Sequence, residues 1–152
     1  MKVKIITRIA LIAAIYAVVT IILAPISYGH IQVRISEALT LLPFFLGYNA
    51  AVGIWLGCML ANIYGGLGLI DIIFGALISL IAGLFTARSQ NIYIAGIYPV
   101  IFNAFGIALI LNIALGVPYL ITVVYVGVGQ FISVYIIGIP LMKLLKEKIS
   151  FF

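Results

Sequence analysis

No charged residue interrupts the chain between Arg8 and Arg34, between Glu37 and Asp71, between Asp71 and Arg88, or between Arg88 and Lys143. Apolar runs of that length belong in hydrocarbon. Only 7% of the 152 residues are charged and 66% are hydrophobic, whereas a soluble domain carries about 25% charge. The mean hydropathy of +1.41 agrees. The chain therefore reads as an all-α integral membrane protein. A spanning helix takes roughly 17 to 25 residues, so about six crossings with short loops use up the length. That leaves no room for a soluble domain.

The formal charge of +5 raises the question of nucleic acid, but the basic residues are scattered at chain ends and loops instead of forming a stripe. Membrane orientation explains them better, and no nucleic-acid partner is expected. Cys58 stands alone in the sequence, which excludes an intramolecular disulfide; without a nearby Cys or His it suggests no zinc site either. His30 also lacks a second ligand at metal spacing and reads as a loop residue. No cofactor is indicated. The start of the chain, with Lys2, Lys4 and Arg8 before an apolar run, resembles a secretory signal. Pro25 after Ala24, and the lack of a small-x-small cleavage pattern, favour an uncleaved first span.

Clear apolar spans run from about Ile5 to Leu23, Ile72 to Ala87, Ile92 to Leu115 and Tyr119 to Met142. The stretch from Ser36 to Asp71 is either one helix of about 45 Å or two short ones turning near Gly47 to Ala50. Basic residues decide between them, because they collect on the cytoplasmic side of short loops. One crossing would put Lys143, Lys146 and Lys148 opposite Lys2, Lys4 and Arg8. Two crossings put both termini and Arg88 inside and leave only Arg34 outside. The expected architecture is thus a six-transmembrane-helix bundle with both termini cytoplasmic. Its second helix, about Glu37 to Tyr48 and containing Pro43, is too short to cross a core of about 30 Å upright. Short, proline-interrupted segments usually line a cavity.

That topology collects His30, Arg34, Glu37, Asn62 and Asp71 toward the outer face, with Asn103 and Gln130 nearer mid-membrane. Intramembrane polar groups are costly unless they find a partner or a ligand. Ser36 is placed to cap the second helix, Glu37 to meet the positive end of its dipole, and Arg34 to pair with Glu37. The alternative is that Glu37 and Asp71 receive hydrogen bonds from a polar guest. Asp71 has no basic neighbour in sequence, and Gly65, Gly66 and Gly68 before it let backbone approach a ligand. Asn62, Asn103 and Gln130 either bond neighbouring helices or serve the same guest. Tyr28, Tyr64 and Tyr125 are either interface aromatics or stacking platforms.

Small residues recur at four-residue spacing: Ala10 with Ala14, Ala13 with Ala17, then Gly53, Gly57 and Ala61, and Gly75, Ser79 and Gly83. Such faces permit close helix contact, mostly internal. No GxxxxGK[ST] loop is present, so any ATP-driven role requires other subunits.

The block PISYGHIQVRISEALTLLPFF, followed in order by GCMLAN, GLGLIDIIFG, FNAF, VGQF and GIPL, resembles the QueT family of queuosine-precursor transporters. These are substrate-binding S components of energy-coupling-factor (ECF) transporters, and the likeness spans essentially the whole chain, with His30 where proline is expected. The resemblance implies that residues 1–152 form a single transmembrane substrate-binding domain of the six-helix S-component fold, without enzymatic activity, in the cell membrane. It also implies a 7-deazaguanine ligand such as preQ1 or preQ0, captured outside and released inside by tipping in the bilayer. The implied partners are a transmembrane coupling protein, docked through Ala10 and Ala14, and two ATPase subunits. A deazaguanine presents N1–H and N2–H₂ donors that a carboxylate accepts with both oxygens, a role for Glu37 or Asp71. The second acid or Asn62 would receive the aminomethyl cation of preQ1, and Arg34, Asn103 or Gln130 would donate to O6. Two other readings remain open at this level: an S component for another vitamin-like compound, and a structural membrane subunit that transports nothing.

Overall fold

The computed structural model describes residues 2–28 and 33–149; His30, singled out above, lies outside them. Every regular element among the described residues is helical. In hydrocarbon a backbone must satisfy its own polar groups, and a helix does so within one segment. In chain order the helices are α1 (Lys2–Ile22), α2 (Ala24–Ser27), α3 (Ile35–Leu46), α4 (Tyr48–Gly65), α5 (Asp71–Arg88), α6 (Ile92–Leu115) and α7 (Tyr119–Lys148). Four of them, α1, α5, α6 and α7, are long and apolar enough to cross a membrane. The chain is thus a multi-pass helical membrane protein.

The ambiguous stretch resolves into two helices. α3 is a tight 3₁₀ helix over Ile35–Leu41 and α-helical only over Leu42–Leu46. The change falls where Pro43 removes an N–H, a loss that costs nothing in the first turn of an α-helix. Seven 3₁₀ residues and five α residues span about 20 Å, short of a core of about 30 Å. Gly47 then takes φ 72°, a left-handed conformation that glycine tolerates without a Cβ penalty. It ends α3 and lets α4 start one residue later.

Side-chain contacts fix the relative directions. Gly53 and Gly57 of α4 meet Ile12, Ala13 and Tyr16 of α1, so these helices run parallel; a Cβ at Gly57 would lie 2.7 Å from the Ala13 carbonyl oxygen. Gly83 of α5 meets Ala51, and Ser79 donates to the Cys58 sulfur at 3.6 Å; α5 therefore runs antiparallel to α4. α6 reverses again, with Gly106 against Ile78 and the Thr86 hydroxyl on the Ala95 carbonyl at 3.2 Å. That carbonyl is the one that Pro99, four residues on, leaves without its helical donor. α7 returns along α6, Gly96 packing on Val134 and Tyr135. The 3₁₀ part of α3 lies inside this set, against α1, α5, α6 and the π-helical turn Ile132–Gly138 of α7.

Polar pairs mark one end of the bundle. Arg88 Nε donates to the Tyr48 hydroxyl at 3.0 Å, and Lys143 Nζ to the Tyr93 hydroxyl at 2.7 Å. Arg34 and Asp71 belong to the opposite end.

Candidate functional site

Glu37 is 2% exposed in the first turn of α3. One carboxylate oxygen accepts from the hydroxyl of Tyr16 on α1, and the other from Asn103 Nδ2 on α6 at 3.2 Å. Asn103 Nδ2 also donates to Gln130 Oε1 on α7 at 3.1 Å. Its two N–H bonds are therefore committed, and Asn103 Oδ1 is left buried with no partner. Tyr16, fully buried, escaped the sequence reading: a tyrosine on an apolar helix looks like any interface aromatic, and its partner lies 21 residues away.

Arg34 does not pair with Glu37. It precedes α3 in an extended conformation, φ −89° and ψ 103°, so the side chain leaves the helix direction that an i, i+3 pair needs. One guanidinium nitrogen donates to Asn62 Oδ1 on α4 at 3.1 Å, and the group lies 5.1 Å from the centroid of the Tyr28 ring. Its Nε is buried without a partner. Burial raises the Tyr28 phenol above its ordinary value, and the guanidinium beside it works in the opposite direction. Tyr28 in turn donates to the Ala61 carbonyl at 2.6 Å. Ser36 caps nothing; its hydroxyl pairs with Thr20 on α1 at 2.6 Å.

Asp71 opens α5 in a π-helical turn, Asp71–Gly75, a local winding found often at functional positions. Asn62 Nδ2 donates to its backbone carbonyl at 2.8 Å. The carboxylate is 1% exposed, lies beside Gly75, and leaves Oδ2 buried without a partner.

The six expected binding residues thus form two adjoining groups, with Arg34 belonging to both. Arg34, Glu37, Asn103 and Gln130 line a small cavity with Ser79, Ile107 and Val126. Asn62 and Asp71 stand behind Arg34 and do not line it. The cavity is about 10 Å³, room for about one water molecule. Tyr64 and Tyr125 are 59% and 49% exposed, which points them away from any enclosed guest. On α1, Ala13 and Ala17 turn inward while Ala10 and Ala14 are exposed.

Three buried polar atoms at this place have no partner: Arg34 Nε, a donor, and Asn103 Oδ1 and Asp71 Oδ2, both acceptors. Buried polar groups are normally satisfied, and exceptions call for an explanation. Together with the cavity they make this polar cluster inside an apolar bundle the candidate site.

Comparison with known proteins gives the family. The family model described as QueT transporter matches residues 6–147. A relative, the queuosine precursor transporter QueT of Lactococcus lactis subsp. cremoris (strain MG1363), is 31% identical over 93% of this chain and 92% of its own length. No solved structure matches. A match that takes in every helix bearing a site residue, α1 through α7, places the chain in the QueT transporter family.

Proposed function

We propose that the protein is the S component of an ECF transporter that captures a 7-deazaguanine precursor of queuosine at the outer face of the cell membrane. The observation that carries this reading is the set of unpaired buried atoms on residues that line the cavity with Glu37, the donor Arg34 Nε and the acceptor Asn103 Oδ1, joined by a second acceptor, Asp71 Oδ2, behind Arg34. A deazaguanine complements them. Its N1–H and N2–H₂ edge suits the two oxygens of Glu37, and its O6 suits Arg34 Nε. Asn103 Oδ1, held in place by Gln130, accepts a further N–H. Asp71 Oδ2 suits the aminomethyl cation of preQ1, a contact the nitrile of preQ0 lacks, while Asn62 holds Arg34 and the Asp71 backbone in register.

The alternating directions of α1, α3, α4, α5, α6 and α7 support six crossings. With Lys143 and Arg88 at one end and Asp71 at the other, the positive-inside rule puts both termini in the cytoplasm and the polar site toward the outside. Delivery inward then requires energy, for which the chain has no phosphate-binding loop. A transmembrane coupling protein and two ATPases supply it, and the S component tips to release its guest. The exposed alanines Ala10 and Ala14 suit close contact with the coupling protein.

Calorimetric titration of the purified protein with preQ1, preQ0, riboflavin and biotin tests the reading. Heat with a deazaguanine is the expected result. Heat with riboflavin or biotin alone would reassign the ligand; none with any of the four would favour a structural subunit.

A further inference from the structure

We propose that Tyr16 is a positioning residue for the ligand, acting through Glu37; this rests on the reading above in which Glu37 accepts the two donors of a guanine-type edge. A carboxylate reads two donors at once only while its plane is fixed. Glu37 sits in a 3₁₀ turn, and its side chain is held by hydrogen bonds from Tyr16 on α1 and Asn103 on α6, with the Gln130 amide of α7 also bearing on it. Asn103 is itself shared with Gln130. Tyr16 is firmly seated in the bundle. Its ring is fully buried, its Cβ packs where Gly57 lacks one, and its backbone carbonyl receives the Thr20 hydroxyl at 2.8 Å. Thr20 in turn meets Ser36, the residue before Glu37. α1 therefore grips the reading acid twice, by its own side chain and through the hydroxyl of the neighbouring Ser36.

Tyr16 does not line the cavity, so it has no direct contact to offer the guest there. A carboxylate oxygen has lone pairs for more than one donor, so the phenol bond and the ligand bond are compatible. The phenol's contribution is the orientation of Glu37.

The test is a double-mutant cycle on ligand affinity with Tyr16→Phe, Glu37→Gln and the pair, each first checked for a monodisperse, folded protein in detergent. Tyr16→Phe keeps the ring and removes only the hydroxyl. Alone it should weaken binding of preQ1 about tenfold, the loss expected for one charge-assisted hydrogen bond. In the Glu37→Gln background it should change affinity less than about twofold. A second readout separates positioning from general loosening: a deazahypoxanthine analogue, lacking the 2-amino group, needs only one carboxylate oxygen and should lose markedly less than preQ1. Additive effects in the cycle, or equal losses for both ligands, overturn the proposal while leaving the transport reading intact. Absence of deazaguanine binding in the unaltered protein would instead refute the reading itself, and this role with it.

Discussion

Glu37, Asp71 and Arg34 are each 5% exposed or less, so two acids share a single guanidinium in the bundle interior. Neither acid makes a salt bridge to Arg34 among the described residues, whose guanidinium donates to Asn62 instead. A cationic guest would balance the excess. Asp71→Asn should therefore lower affinity for preQ1 by about tenfold and affect preQ0 far less, with a thermal midpoint at or above that of the parent, since an unpaired buried charge is removed. Calorimetry and thermal unfolding measure the two quantities; loss of stability with unchanged affinity would contradict the assignment. Glu37→Gln should weaken both ligands, because the paired N–H edge is common to them. The acids were legible in the sequence because a charge in hydrocarbon is rare and expensive. Their pairing was not: the Arg34 to Glu37 spacing predicts a bond only if both residues lie on one regular helix, and Arg34 lies before it. Tyr16 and the free oxygen of Asn103 depend on helices meeting across the bundle, which no local pattern encodes.

Between helices, the contact of α1 with α4 is the place where a side chain would run into backbone. At Gly57 an added methyl would meet the Ala13 carbonyl oxygen at 2.7 Å and the Tyr16 Cβ at 2.8 Å. Gly57→Ala should force the two helices apart, destabilising the fold by about 1 to 3 kcal/mol, seen as a lower unfolding temperature in detergent. Thr86→Val keeps the shape but removes the donor on the carbonyl orphaned by Pro99, a loss of about 1 kcal/mol. The turn at Gly47 was readable from where lysines and arginines fall, and the small-residue faces from their spacing. The π-helical turns at Asp71–Gly75 and Ile132–Gly138 had no such sign, because winding by one extra residue per turn leaves hydrophobic composition unchanged. α7 also runs on to Lys148, beyond the predicted Met142, with Pro140 two residues after the π segment, in the first turn of the α-helix that follows.

For the whole molecule, α1 turns one small-residue face inward and another outward. Ala13 and Ala17 pack internally, whereas Ala10 and Ala14 are exposed. Replacing Ala10 and Ala14 by leucine should leave deazaguanine affinity within about twofold of the parent and abolish co-purification with the coupling protein; retained co-purification would exclude this face as the docking surface. The cavity beside Glu37 has a kinetic corollary. A bicyclic heterocycle cannot enter a space of about 10 Å³ unless α3 and its neighbours first separate, so encounter and capture are distinct events. In rapid mixing, the observed rate should climb with ligand concentration and then level off at the pace of that breathing motion, far below what diffusion alone would permit.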